Sequence, residues 1–359
     1  MGYDPLSRRD LTSRLRKQYP ADFRMFLSFD DCVFQVETND SRLDVRLRKY
    51  FKAFMTIPSI PDIRVTALDA PPPKIPADFT IKKPDPGKTR IKEEYVDIDG
   101  GRIVRKRLTD MLFIFGQGDN LAVGSCTEND NQVVNFINNR FIEWKLNRGG
   151  LLGHAAGVSV NGRGLALAGF SGMGKSTLAL RLLSAGADFV SNDRLIVQKR
   201  ARNIRMYGVA KYPRINPGTI LNNEDLDGIL TEKQKKLYQT LTPNELWMLE
   251  HKFDVPIDEY YGKGRFSLNA TMKGLVILNW SRARKKPVIQ TVRIADRPDL
   301  LGAFIKETGL FYLPANGAAA AAATQKDYID VLSGGECFEI TGGVNFDHAS
   351  MFCGEILNG

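Results

Sequence analysis

The sequence predicts an α/β protein: a small N-terminal α/β unit, an extended connection, and a larger domain in which an antiparallel β layer precedes a strand, a glycine loop and a helix. Three observations predict it. Residues 164–184 run from an apolar strand through Gly169-Phe170-Ser171-Gly172-Met173-Gly174-Lys175-Ser176 into the helical stretch KSTLALRLLS. Just upstream, Asn161-Gly162 separates two apolar runs and suits a two-residue hairpin turn with positive φ. Before that, the short runs YVDIDGGRIVRKR, DMLFIFG, NLAVGSC and FIEWKL read as β-rich, with turn signals at Asp99-Gly100-Gly101 and Gly116-Gln117-Gly118.

Taken in order, residues 1–56 form the small unit. It has a helical segment over Leu11–Gln18, strands at Met25–Phe29 and Cys32–Val36, and an amphipathic helix in SRLDVRLRKYFKAFM. Residues 57–94 hold Pro58, Pro61 and Pro71-Pro72-Pro73, which forbid regular helix, and are expected to be an extended linker. Residues 95–359 form the larger domain. After the glycine loop, Gly186 stops the helix and an apolar strand runs into Ser191-Asn192-Asp193. Leu275–Trp280 reads as a buried central strand. The six alanines Ala318–Ala323 read as a helix start, and the tail from Cys337 as strand, glycine turn and closing helix.

Composition sets bounds. The 359 residues are 43% hydrophobic and 25% charged, ordinary values for a globular protein. No run approaches the ~18 apolar residues of a membrane span, and the N-terminus has no apolar core suited to a signal peptide, so a cytoplasmic location is expected. The four cysteines lie far apart, which suggests neither a zinc knuckle nor a disulfide framework. The net charge of +9 is scattered, so a nucleic-acid partner is not expected and a solvated basic face that draws in an anion is.

The loop Gly169–Thr177 satisfies G-x-x-x-x-G-K-[ST], and this gives the ligand class. Glycines at its first, fourth and sixth positions let peptide N–H groups turn inward around phosphate oxygens. Gly169, Phe170, Ser171, Gly172, Met173, Gly174, Lys175, Ser176 and Thr177 are therefore expected to hold ATP, with Lys175 on the β- and γ-phosphates and the Ser176 hydroxyl on Mg²⁺. The following helix points its positive end at the same anion. Asp193, at the end of the next strand, stands where Mg²⁺ needs a second anchor or an acceptor needs a base. Arg214 could pair with a phosphate or an acidic acceptor, and Arg265, in Gly262-Lys263-Gly264-Arg265, belongs to a basic loop that could close over substrate. Arg282 and Arg284 lie where strand ends meet ligands in open sheets, and Glu250, His251, Asp254 and Asp258 supply acids and an imidazole near the basic loop.

His154, the GFSGMGKST loop, the helix LALRLL and FVSNDRLIV resemble the kinase domain of the HPr kinase/phosphorylase family over residues 150–198. With the N-terminal unit, VPIDEYYGKGRFSLNATMKGLVILNW resembles its HPr kinase-related kinase B branch. The resemblance implies a fold laid out like HPr kinase and phosphoenolpyruvate carboxykinase, with the hairpin leading into the loop. It implies an active-site role for His154 near the phosphates and for Asn192 and Asp193 at the acceptor, and self-association into rings. Two positions depart from the family: Asn192 replaces the first of two paired aspartates, and Ala155 replaces the glycine after His154. An amide can orient a hydroxyl or coordinate through its oxygen, but it accepts no proton at neutral pH. The expected activity is ATP- and Mg²⁺-dependent transfer of a phosphoryl group to a hydroxyl acceptor, a protein serine among the candidates. A small-molecule kinase or ATPase of the same fold, and a nucleotide-dependent binding subunit, are the alternatives.

Overall fold

The computed structural model describes residues 7–84, 89–249, 251–282, 285–315 and 323–359. It is a mixed α/β protein in two compact units, one of Met1–Asn147 with Thr308–Ala320 and the other of Arg148–Glu307 with Ala321–Gly359.

The first unit is built on an eight-stranded sheet. Helix α1 (Arg8–Gln18) is capped by Ser7, whose hydroxyl accepts from the Asp10 N–H, and buries Leu11 and Leu15 one turn apart. Strands β1 (Phe23–Phe29) and β2 (Cys32–Thr38) form a hairpin whose side chains alternate between core and surface. Helix α2 (Ser41–Tyr50) starts at Asp40, whose carboxylate accepts from the N–H groups of Arg42 and Leu43. Strand β3 (Ile63–Asp69) follows, then β4 (Thr80–Ile81), β5 (Glu93–Ile98), β6 (Gly101–Lys106), β7 (Leu112–Gly116), β8 (Asp119–Gly124) and helix α3 (Asp130–Leu146). From β4 to β8 the strands pair antiparallel in sequence order, the predicted β layer, and the turns at Asp99-Gly100 and Gln117-Gly118 stand where their glycines announced them.

Two expectations fail here. The compact unit does not end at residue 56, and residues 57–94 are not only a linker: β3 lies in the middle of the sheet, parallel to β2 on one side and β8 on the other. The prolines bracket a proline-free run that holds the seven-residue strand, and Val65, Ala67 and Leu68 are fully buried. A strand covered on both faces lacks the polar alternation that marks an edge. FIEWKL is not a strand but the last third of α3. A short apolar run cannot distinguish a buried strand from a buried helix face, and the residues preceding it, rich in Asn and Val, carry little helical propensity.

The second unit carries a nine-stranded sheet. It contains β9 (Leu151–Gly153), β10 (Ala155–Val160), β11 (Arg163–Gly169), helix α4 (Lys175–Ser184), β12 (Asp188–Ser191), β13 (Leu195–Arg200) and β14 (Asn203–Tyr207). A small pair, β15 (Arg214–Ile215) with β16 (Phe253–Asp254), brackets helices α5 (Pro217–Leu221), α6 (Glu232–Gln239) and α7 (Pro243–Met248). Helix α8 (Ile257–Tyr260), β17 (Asn269–Leu278), β18 (Val288–Thr291), helix α9 (Gln325–Leu332), β19 (Glu336–Thr341) and helix α10 (Phe346–Asn358) complete it. The predicted hairpin is present, with Val160 opposite Arg163 across Asn161-Gly162, both at positive φ. Strand β17 is central, parallel to β11 on one side and, over Gly274–Leu278, to β19 on the other. The alanine run lies outside the described residues except for Ala323, and α9 begins after it, capped by Thr324.

If β3 is a central strand, the amides of Val65–Leu68 should exchange with solvent as slowly as those of β7 and β8, reporting near-global opening. Rapid exchange there, with protection confined to β5–β8, would restore the linker.

Candidate functional site

Register brings the predicted site residues to one end of the second sheet. Gly169 ends β11, and Ala168 pairs with Ala155, so His154, just before β10, stands beside the start of the loop. Strand β12 runs antiparallel to β10 with Ser191 opposite Gly157, while Leu195 pairs with Gly153. The turn Asn192-Asp193-Arg194 must therefore close at the same end. These contacts connect positions up to 42 residues apart, and each follows from backbone pairing alone.

The loop is held from below and from one side. Gly172 and Gly174 have φ of +83° and +85°, a conformation a side chain would strain, and a Cβ on Gly174 would meet the Phe346 ring at 2.5 Å. The indole N–H of Trp280, at the end of β17, donates to the Met173 carbonyl at 3.0 Å, and its ring packs edge-on against Phe346. Gly174 caps α4, leaving the first amides of that helix without a side-chain partner.

Beyond the loop opens a cavity of about 730 Å³. Its walls include His154, Ser171, Gly172, Gly174, Lys175, Ser176 and Thr177 from the loop side, Asn192 and Asp193, Lys211 to Thr219 in part, and Lys252 and Phe346. Five of its lining residues are cations, namely Lys175, Arg181, Lys211, Arg214 and Lys252, against the single carboxylate of Asp193. The Lys175 ammonium, only 7% exposed, donates to the carbonyls of Gly169 (2.6 Å) and Phe170 (3.2 Å). Burial pushes it down to about 8; Asp193 opposes the shift, and Lys306 and Lys252 add to it.

His154 is pushed down to about 4, first by burial and then by the charges of Lys175 and Lys306, so at neutral pH it is an uncharged imidazole. Burial on its own would raise Asp193, but Lys306, Arg194, Lys211 and His154 together hold it below the usual carboxylate range. Lys306 reaches it at 3.9 Å, delivered by a segment that pairs with β9: the His154 N–H donates to Phe304 O and the Lys306 N–H to Leu152 O. Asn192 Oδ1 is buried and accepts no hydrogen bond among the described residues. Thr177 and Thr219 share a hydroxyl hydrogen bond of 2.9 Å, which joins α4 to α5.

Of the predicted residues, the lining thus gathers His154, Ser171, Gly172, Gly174, Lys175, Ser176, Thr177, Asn192, Asp193 and Arg214. Gly169 and Met173 support the loop from behind. Phe170 is half exposed, and its carbonyl engages Lys175. Arg214 forms an exposed ion pair with Asp254 at 3.1 Å. Arg265 stands apart from the cavity. Its guanidinium is taken up by Asp188 (2.9 Å) and by the carbonyls of Leu183 (3.0 Å) and Ala187, where it closes the C-terminal end of α4. The backbone at Arg265 and Ser267 is tied to β12, by Phe189 N–H to Arg265 O and Ser267 N–H to Phe189 O, so Arg265 itself is fixed beside β12 and not over the cavity.

His251 pairs with the Tyr238 hydroxyl at 2.6 Å and Arg282 donates to Asn244 Oδ1, and neither is among the lining residues; Glu250 and Arg284 lie outside the described residues. Lys306 and Lys252 were missed by sequence reasoning. Lys306 belongs to an unremarkable stretch and Lys252 stands between the noted His251 and Asp254, and only the fold carries each to the cavity or its carboxylate.

No family model matches the chain, and no curated protein does. Among the described residues no helix is long and apolar enough to cross a membrane. Among solved structures, the HPr(Ser) kinase/phosphatase from Coxiella burnetii is similar at 11% identity and a TM-score of 0.30, over 58% of this chain and 93% of that one.

Proposed function

We propose that the second unit binds a nucleoside triphosphate, ATP, with Mg²⁺ at the Gly169–Thr177 loop and transfers its terminal phosphoryl group to a hydroxyl held beside Asp193. The observation that carries this is the convergence of the glycine loop, the open N-terminus of α4 and five cations on one cavity lined by a single carboxylate. An anion complements that set, and the loop pattern selects a phosphate chain. The hairpin before the loop and Asn192-Asp193 after it support a domain of the HPr-kinase and carboxykinase layout, and the kinase B resemblance specifies the branch.

The site also suits Mg²⁺. Among the described residues no three acidic, His or Cys side chains cluster to cage a metal, which matches an ion that keeps its waters and borrows phosphate oxygens. Ser176 and Asp193 would hold it, and Asn192 Oδ1, buried and without a donor among the described residues, would add an oxygen from the same turn. Bound there, the ion would neutralise charge on the β- and γ-phosphate oxygens. Lys175 would move from the carbonyls of Gly169 and Phe170 onto those oxygens, while the loop N–H groups fix the chain. Asp193, ionised at neutral pH, would accept a hydrogen bond from the acceptor hydroxyl and orient it. As the acceptor oxygen bonds to phosphorus, the bond to the bridging oxygen breaks, the nucleoside diphosphate leaves with that electron pair, and the hydroxyl proton passes to Asp193. A carboxylate held below its ordinary pKa is a weak base, and Asn192 is none. That favours a late proton transfer, and it keeps a nucleotide-binding subunit without turnover as the second reading.

Incubating the protein with γ-labelled ATP and Mg²⁺, with and without cell lysate, should place label on an acceptor, and Lys175→Ala should lower transfer at least ~100-fold with the melting temperature retained. Transfer by Lys175→Ala at the wild-type rate would overturn the assignment; tight binding with no label moved would establish the second reading.

Proton linkage offers a separate test. An anion raises Lys175 from about 8, so binding must draw in a proton wherever the free amine is partly neutral. Titrating sulfate, which does not itself titrate in this range, in buffers of different ionisation enthalpy should show proton uptake that is larger at pH 8 than at pH 7, and Lys175→Met should abolish it. Uptake that persists in Lys175→Met would move the linkage to another group.

A further inference from the structure

The cavity lining continues beyond the glycine loop onto the second turn of α4. Thr177 and Arg181 stand one turn apart on that helix, so they share a face, and both line the cavity. A helical side chain leans back toward the N-terminus of its helix, which carries the Arg181 guanidinium toward the first turn. Phe346, half-buried at the start of α10, lines the cavity beside it. Its ring is held in place: it fills the space a Cβ on Gly174 would need, and Trp280 packs edge-on against it with ring centres 5.1 Å apart. The Arg181 guanidinium carbon lies over the same ring, 5.7 Å from its centre.

Arg181 has donors to spare. Among the described residues it makes one hydrogen bond, from Nη1 to the Asp347 carboxylate, and that partner's side chain is 85% exposed. Its Nε is buried with no acceptor among the described residues. An exposed ion pair contributes little and a buried donor left unmet costs free energy, so the guanidinium gains by turning onto an anion in the cavity.

Its place on α4 says which anion. In the proposed complex Lys175 and Ser176 serve the β- and γ-phosphates and the ion, while Asp193 marks the acceptor end. A chain continuing past Thr177 brings its third phosphate, and then its nucleoside, beside Arg181 and Phe346. An aromatic ring with a guanidinium over it offers a flat apolar face with donors at the rim, which matches a base joined to a phosphate.

We propose that Phe346 and Arg181 form the nucleoside end of the site: Phe346 carries the base by stacking, and Arg181 hydrogen-bonds the α-phosphate. This rests on the nucleotide assignment above. The site thereby reads a nucleotide and not a phosphate chain alone. The two residues have separable roles, because Arg181 serves any chain of three phosphates and Phe346 serves only a chain that bears a base.

The magnesium complexes of β,γ-imido-ATP and of inorganic tripolyphosphate are compared by calorimetry at a single pH, with melting temperatures measured for each variant. Imido-ATP should bind at least ~10-fold more tightly than tripolyphosphate. Phe346→Leu should remove most of that preference and leave tripolyphosphate affinity within about twofold, whereas Phe346→Tyr should keep the preference. Arg181→Met should weaken both ligands, each by ~10-fold. The proposal is overturned if the wild-type protein binds the two ligands equally, if Phe346→Leu weakens both alike, which would make the ring only a support for Gly174, or if Arg181→Met changes neither. Equal binding of the two ligands removes the nucleoside end and leaves the phosphate assignment of the loop standing; failure to bind either ligand removes both.

Discussion

The Lys175 ammonium governs this molecule's second unit. It sits 7% exposed at the positive end of α4, where the helix dipole disfavours a cation, with Lys306 and Lys252 adding to the repulsion and two carbonyls as its acceptors. Burial and the neighbouring ammonium groups disfavour the charged form in the unliganded protein, and the Lys175 pKa is pushed down accordingly. The surroundings preserve the arrangement. Trp280 pins the loop backbone, Phe346 leaves no room for a side chain on Gly174, and Leu178, Leu182 and Leu183 anchor α4 in the core. Packing stabilises elsewhere what electrostatics leaves unfavourable here, so an arriving anion meets donors already oriented and partly desolvated.

The sheet supplies the rest of the site through register. A one-residue slip between β10 and β11 would turn every side chain of β11 to the other face and move the loop relative to His154. Two features hold the register. Asn161-Gly162 closes the hairpin with the positive φ values that a tight two-residue turn demands, and β17 fixes β11 from the other side with seven paired positions. On the far side of β10, Gly157 lies against Leu195 and Val190, so β12 and β13 approach closely enough to bring Asn192-Asp193 to the same edge.

What was legible in the sequence was local. The loop, the span of α4, its stop at Gly186 and the hairpin turn all depend on residues within a few positions of one another, and each stands where propensity placed it. The first unit was less legible because β3 is defined by partners on both sides and not by its own pattern, and because prolines that bracket a strand look the same as prolines that forbid one. Charge was least legible. Arg265 has the composition of a substrate-closing loop yet spends its guanidinium on the end of α4, while Lys306, 113 positions beyond Asp193, reaches it through a β-like pairing of Phe304–Lys306 with β9. A basic residue declares its charge in sequence, but the group it faces is a property of the fold.

The pair Asn192-Asp193 shows how this electrostatic setting would shape chemistry. Two adjacent carboxylates would share a proton, one pushed up and the other down, which suits reversible proton traffic. With an amide in the first position nothing raises Asp193 except its own burial, and the surrounding ammonium groups overcome that. The carboxylate is thereby committed to its charged form at neutral pH. In that form it can anchor a metal, orient a hydroxyl and balance Lys306, but it holds a proton only briefly. Asn192 contributes the complementary property, an oxygen with free lone pairs that no pH change can neutralise. The amide therefore offers a fixed coordination point where a second carboxylate would titrate, and under the proposed mechanism Asp193 would act by orienting the hydroxyl and by its charge more than by storing a proton, in either direction of transfer.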